Sequence, residues 1–254
     1  MTATTTNAAA SKNGAHGRLP RHIAVIMDGN GRWAQARGQS RLVGHAAGAE
    51  RAKELTERCG QLGIEVLTLY SFSVENWNRP ADEVAGLMEL ATLQLAAERE
   101  ALAAHNVRFR HLGLRDGLPR RVLDELDATE RRTASCTGLT LCLALNYGSR
   151  SEIVAAVQSI AERVLAGTLA PSSIDEAEIS DSLYTAGLPD PDLVIRTAGE
   201  SRVSNYLLWQ ISYAELHVTS TLWPDFDAAA LDRALSDYAG RTRKWGRVTE
   251  QEMP

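Results

Sequence analysis

The sequence predicts a single α/β domain with a central, mostly parallel six-stranded sheet surrounded by helices. Three observations carry that expectation. Short apolar runs alternate with longer helical patterns from Pro20 onward. Four of these runs are rich in Val, Ile and Leu with little polar alternation, which marks strands covered on both faces. No repeat or linker interrupts the pattern, and 254 residues can bury one large core.

In chain order, the expected strands are "HIAVIM" (22–27), "EVLTLYSF" (65–72), "VRFRHLG" (107–113), "LTLCLALNYG" (139–148), "DLVIRT" (192–197) and "LHVTS" (216–220). Helical patterns fall near 46–61, 81–104, 119–134, 149–166, 175–186 and 228–242. Residues 1–20, "MTATTTNAAASKNGAHGRLP", lack apolar periodicity and the apolar stretch of a signal peptide, and are expected to form a disordered tail. The folded domain is expected to span 21–254.

Composition excludes several classes. A net charge of -5 with no basic stripe argues against nucleic acid as a partner. Cys59, Cys136 and Cys142 are too few and too scattered for a disulfide framework or a zinc site, which fits a reducing compartment. No apolar run approaches the roughly 20 residues that span a bilayer.

Polar residues collect just after the strands. Asp28 follows the first, Ser73, Glu75 and Asn76 the second, Asn146 ends the fourth, and Arg196, Glu200 and Arg202 follow the fifth. Ligands of open α/β sheets bind beyond the carboxyl ends of the strands, so a shared site is expected at that edge.

The stretch "GNGRWA" formally matches a dinucleotide fingerprint, G-x-G-x-x-A, after a strand. The context is wrong: the acidic residue expected about 20 positions later at a strand end is missing. Asp28 would also repel a pyrophosphate unless a cation stood between them. Carboxylate, Mg²⁺ and diphosphate together are a usual arrangement; a plain turn or helix-capping aspartate is the alternative. Positive charge comes from "RLVGH", with Arg41 and His45, and from "RTAGESRVSN", with Arg196, Arg202 and Ser204. Arginine forks match phosphate geometry, although any one of them could be a solvated surface residue. Arg196 stands apart because it ends an apolar strand. His45 fits helix-end packing as well as a ligand contact.

The loop "SFSVENWNRP" combines hydroxyls, amides, Glu75, Trp77 and Arg79, while Asn78, Pro80 and Asp82 also suit a helix start. The helix that follows carries Val84, Leu87, Met88, Ala91 and Leu95 on one face, extended by Leu90 and Leu93. It reads as a core helix, or as the wall of an apolar cleft that small alanines leave open.

Together these stretches resemble the cis-prenyltransferase family, and within it the bacterial undecaprenyl diphosphate synthases. The resemblance rests on "HIAVIMDGNGRWA", "GHAAGAE", "LTLYSFSVENWNRP", "GLTLCLALNYGSRSEI", "DLVIRTAGE", "RVSNYLLWQISYAEL" and "WPDF" in that order, from about His22 to Gly246. It implies a hydrophobic tunnel within the fold, a homodimer, Mg²⁺ as cofactor, and repeated condensation of isopentenyl diphosphate onto an allylic diphosphate such as farnesyl diphosphate. The implied product is undecaprenyl diphosphate, the lipid-carrier precursor for cell-wall glycan synthesis. The implied location is the cytoplasm, with peripheral membrane contact for product release.

By the same resemblance, Asp28 is the essential carboxylate that meets Mg²⁺ and diphosphate. Gly29, Asn30, Gly31 and Arg32 cradle the allylic diphosphate, assisted by Arg41 and His45, with Trp33 beside it. Ser73, Val74, Glu75, Asn76, Trp77 and Arg79 form the next motif, in which Asn76 assists proton removal. Arg196, Arg202, Val203 and Ser204 form the isopentenyl diphosphate pocket, and Glu215 is a second metal-associated carboxylate. Bulk at Leu95 or Leu139 is expected to shorten products if either lines the tunnel. Three residues depart from the family pattern: Ala198 replaces a common Gly or Ser, Ser201 replaces a His near the metal, and Lys244 replaces an Arg that can reach the neighbouring subunit. The aspartate-rich D-D-x-x-D motif of trans-prenyltransferases is absent. A dinucleotide-dependent reductase and a non-catalytic subunit of a heteromeric enzyme are the competing readings. Such a subunit would be expected to lack Asp28 or the arginine pocket, and both are present.

Overall fold

The structure, a computed structural model, describes residues 18–241. Six strands, β1 (His22–Ile26), β2 (Val66–Ser73), β3 (Arg108–Leu112), β4 (Thr140–Tyr147), β5 (Leu193–Arg196) and β6 (Glu215–Val218), form one sheet. Its order is β3-β4-β2-β1-β5-β6, and every pairing is parallel. The expected "mostly parallel" sheet is thus wholly parallel among the described residues. Each expected strand is present within a residue or two, because buried parallel strands need apolar residues on both faces. β1 shows this most plainly, with all five residues buried.

Successive strand residues serve opposite layers. Ile23, Val25, Leu67, Leu69, Leu193 and Ile195 face a large core shared with helices α2 (Arg41–Leu62), α3 (Ala81–Ala104), α4 (Arg120–Thr133) and α7 (Ala228–Gly240). Ala24, Ile26, Tyr70, Cys142 and Val194 face a second core containing Tyr147, Tyr206 and Leu207. Stacked Tyr70 and Tyr206 rings, with centroids 4.4 Å apart, fill that layer beside α5 (Ser149–Leu165). The buried Glu152 accepts hydrogen bonds there from Tyr147, Gln210 and the Tyr184 N–H. Burial raises its pKa above the ordinary carboxylate value.

Four boundaries differ from the sequence expectation. A short helix, Asn30–Gln35, precedes α2, and α2 itself begins at Arg41 rather than near residue 46. Gly44 and Gly48 weaken the helical signal there. The helix expected over 175–186 runs only from Glu176 to Ser182, because Leu183 turns extended and buries its side chain. Leu19 and Pro20, counted with the tail, pack on the domain. Residues 1–17 and Lys244 lie outside the described residues. No helix among the described residues is long and apolar enough to cross a membrane.

Candidate active site

Sheet order determines where the site forms. The chain leaves β1 towards β2 on one side, and leaves β5 towards β6 on the other. The two departing loops diverge and open a crevice at the carboxyl ends of β1 and β5. Asp28 lies two residues past β1, and Arg196 ends β5 opposite Ile26. Thr197 anchors Asp28: its hydroxyl accepts the Asp28 N–H at 2.9 Å and donates to the Asp28 carbonyl at 2.7 Å.

Five of the expected residues meet at this crevice. The Arg196 Nη2 donates to Asp28 Oδ2 at 3.0 Å, while Nη1 donates to Ser204 Oγ at 2.8 Å and to the Arg202 carbonyl. Arg202 lies 3.9 Å from the same Asp28 oxygen. Arg32 joins this group, 3.7 Å from Asp28 Oδ1 and 3.4 Å from Glu200. Glu200 also pairs with Arg202, which makes it part of the cluster although only its position after β5 had marked it.

A second cluster forms across the start of α2 and α3. Glu83 accepts from Arg41 at 3.2 Å and from Arg79 at 3.1 Å, and lies 3.8 Å from His45 Nε2. Sequence reading missed Glu83. An acidic residue in the first turn of a helix, four positions after an arginine, looks like ordinary solvated helix chemistry. Burial and the neighbouring Arg79 lower the His45 pKa to about 4, so its ring is neutral at neutral pH.

The motif "GHAAG" has a steric cause. A Cβ on Gly44 would stand 2.0 Å from the Asn30 carbonyl oxygen, and one on Gly48 would stand 2.4 Å from Asn30 Oδ1. Two glycines therefore let α2 lie against the loop after Asp28. Trp223 of "WPDF" seals the contact by donating to the Gly48 carbonyl at 2.8 Å, and Asp225 accepts from Trp33 Nε1 at 2.7 Å.

The loop after β2 forms a 3-10 turn, Val74–Asn78. Ser73 and Asn76 close it reciprocally, with Asn76 Oδ1 accepting the Ser73 N–H at 3.1 Å. The Asn76 amide is thus engaged in holding its own turn. Trp77 Nε1 donates to Asn146 Oδ1 at 2.8 Å, and Asn205 Nδ2 donates to Glu75 Oε1 at 2.8 Å.

An apolar cavity of about 470 Å³ runs from this edge down between α2, α3 and the sheet. Asn30 and His45 stand at one end, and Gln61 and His105 at the other. The stretch of α2 between His45 and Gln61 makes it about 24 Å long. The two readings of the 81–104 helix therefore both hold: Met88 and Leu95 are core residues that also line the cavity. Leu93, by contrast, is exposed. Leu139 is buried in the core but does not line the cavity, whereas Leu95 does.

Three buried side-chain atoms at the site lack a hydrogen-bond partner: Asn30 Oδ1, His45 Nε2 and Arg196 Nε. Buried polar groups are normally satisfied, at a cost of about 1–3 kcal/mol each when they are not. Asn30 and His45 line the cavity; of the three atoms, the Arg196 Nε–H is a free donor that an anion could take, whereas Asn30 Oδ1 can only accept. For a metal, no group of three or more His, Cys, Asp or Glu able to hold one occurs among the described residues. A lone, partly exposed Asp28 suits Mg²⁺ shared with substrate phosphates rather than a closed protein cage. Glu215 does not join it within the chain. It opens β6 opposite Leu193, three positions before Arg196, and accepts from Arg241 at 2.9 Å. That places it about 10 Å along the sheet from the Arg196 level. Ser201 is exposed.

Comparison with known proteins gives a consistent answer. Residues 26–246 match the prenyltransferase family described as "Putative undecaprenyl diphosphate synthase". The chain is 50% identical over 231 residues to an isoprenyl transferase of Prochlorococcus marinus, covering 91% of this chain and 87% of that one. It is 48% identical over 233 residues to a farnesyl-diphosphate-specific ditrans,polycis-undecaprenyl-diphosphate synthase of Xanthomonas axonopodis, covering 92% and 91%. Among solved structures, lavandulyl diphosphate synthase from Lavandula x intermedia, in complex with dimethylallyl diphosphate, superposes with a TM-score of 0.88. Identity is 38%, with 90% of this chain and 98% of that one covered.

Proposed function

The chain belongs to the undecaprenyl diphosphate synthase family of prenyltransferases, and on that premise we propose that it extends farnesyl diphosphate with isopentenyl diphosphate units to undecaprenyl diphosphate. One observation carries the reading: a long apolar cavity is lined at one end by Asn30, two residues past Asp28, and by His45, which stands 3.8 Å from Glu83. That combination fits an amphiphile with a diphosphate head and a growing hydrocarbon tail.

In this mechanism Arg41, His45 and the Gly29–Arg32 loop bind the allylic diphosphate, and Arg196, Arg202 and Ser204 orient isopentenyl diphosphate. Asp28 is the residue that would hold Mg²⁺, and the ion when bound would supply positive charge for a departing diphosphate. The isopentenyl double bond attacks the carbon that loses its diphosphate, and loss of one proton leaves the new cis double bond. Positioning and charge stabilisation are the protein's contribution. Asn76 holds its turn, and a neutral amide is a poor base, so the leaving diphosphate takes the proton.

Each added unit buries five carbons, worth on the order of 4 kcal/mol in the cavity. Release of long products then limits turnover, and detergent or lipid speeds it. Exposed Leu42 and Val43 beside Arg41 support contact of the mouth with a membrane surface. A homodimer is supported by β6, an edge strand whose Leu216 and Val218 side chains are exposed, next to exposed Tyr213.

The test is incubation of pure protein with Mg²⁺, farnesyl diphosphate and labelled isopentenyl diphosphate, followed by sizing of products. Elongation by the protein alone supports the proposal and excludes the partner-subunit reading. No elongation with any allylic starter overturns it.

A further inference from the structure

We propose that Asn205 is a positioning residue that locks the loop bearing Arg202 and Ser204 to the turn bearing Asn76, and so fixes the isopentenyl diphosphate pocket relative to the reacting carbon. The inference rests on the proposed condensation reaction.

The loop adopts a backbone that needs external support. Ser204 (φ 50°), Asn205 (φ 59°) and Leu207 (φ 46°) all occupy the left-handed region, which costs non-glycine residues roughly 1–2 kcal/mol each. Such a segment persists only where its surroundings over-determine it. Asn205 supplies three hydrogen bonds to that constraint, alongside those from Arg196 to Ser204 Oγ and the Arg202 carbonyl. Its carbonyl accepts the Ser149 N–H at 2.8 Å, and its Oδ1 accepts the Arg150 N–H at 2.9 Å. Its Nδ2 donates to Glu75 Oε1 at 2.8 Å. The Tyr70 hydroxyl adds one more hold, donating to the Ser204 carbonyl at 3.2 Å.

Among the described residues, only the Glu75 link joins the loop to the 3-10 turn through a side-chain–side-chain hydrogen bond. From there a continuous path runs Glu75–Asn205, through the peptide bond to Ser204, then Ser204 Oγ to Arg196 and Arg196 to Asp28. The amide is the chemistry this position requires. One end must accept from a backbone N–H while the other donates to a carboxylate, and neither aspartate nor leucine does both.

The experiment exploits that asymmetry. Asn205→Asp keeps the acceptor for Arg150 but sets a carboxylate against Glu75. It should raise KM for isopentenyl diphosphate at least about tenfold, the loss expected for a hydrogen bond to a charged group. KM for the allylic diphosphate should stay within about threefold, because Arg41 and His45 are untouched. Adding Glu75→Gln to Asn205→Asp restores a hydrogen bond of opposite polarity and should recover most of the lost KM. Glu75→Ala should raise the same KM, which keeps the test decisive if Asn205→Asp does not fold. A normal KM in either single variant overturns the proposal. So does a double variant no better than Asn205→Asp, the outcome expected if the Glu75 carboxylate touched substrate directly. Failure of the unmodified protein to elongate would instead refute the reaction, since the comparison requires active parent enzyme.

Discussion

The two charged clusters at the cavity mouth are built alike and held differently. Asp28 stands among Arg196, Arg32 and Arg202; Glu83 stands among Arg41, Arg79 and His45. Asp28 is fixed by the main chain at the place where sheet connectivity reverses, and keeps 31% of its side chain open. Glu83 rides on the first turn of a helix and is only 12% exposed. The difference suggests a division of labour. The cluster with the accessible carboxylate can meet a metal and take part in bond breaking. The enclosed one holds arginine forks in place.

The largest expected effect separates these roles. Asp28→Ala should reduce condensation by at least about 10²–10³-fold, the scale of removing a preorganised charge-stabilising group. Arg196 keeps its bonds to Ser204 and the Arg202 carbonyl, so circular dichroism should report an intact fold. Near-normal turnover with Mg²⁺ would remove the metal-bridging role from Asp28.

A smaller loss is expected at the other cluster. Glu83→Gln should raise KM for the allylic diphosphate about tenfold, as one charge-assisted anchor is lost, with kcat within about threefold. Steady-state kinetics with saturating isopentenyl diphosphate checks this. If kcat collapses as it does for Asp28, the clusters are chemically equivalent and the proposed division is wrong.

The cavity below the clusters gives a third comparison. Leu95→Trp places bulk into the lining and should shorten products, read by chain sizing. Leu139→Trp overpacks a buried site outside the lining and should instead lower stability by about 1–3 kcal/mol, read by urea unfolding. Equal shortening by both would mean that the cavity does not hold the product.

The smallest effect concerns the Asp28 side of the mouth. Ala198 sits at φ 70°, a conformation glycine holds without strain. Ala198→Gly should stabilise the fold by about 0.5–1 kcal/mol after the entropy of the unfolded glycine is counted. A rise of about 1–4 °C in melting temperature would show it; a fall would mean that burial of the Ala198 methyl matters more.

Much of this was legible in the residues. Short apolar runs such as "HIAVIM", alternating with helical patterns, fit strands covered on both faces, because each second side chain must also find a core. Asp28 and Arg196 were identifiable because charge at the end of an apolar run has few reasons to be there, whereas Arg41 and Arg202 stood out only with the motifs around them. The separated motifs then tied the chain to its family, as the comparisons bear out. Other features carried no local signal. Glu83 and Asn205 look like ordinary helix-start and loop residues, and the side chains that give them their roles, Arg41 and Glu75, lie 42 and 130 positions away. Leu95 and Leu139 are both buried leucines, and only the path of the cavity distinguishes them. Glu215 matched a motif, yet strand register sets it at the other end of β6. Sequence by itself determined which segments form strands and helices and which charges gather at the carboxyl edge, because periodicity and chain proximity are local. Tertiary structure alone decided which acid faces which arginine and where the apolar space lies, because those follow from packing between segments distant in the chain.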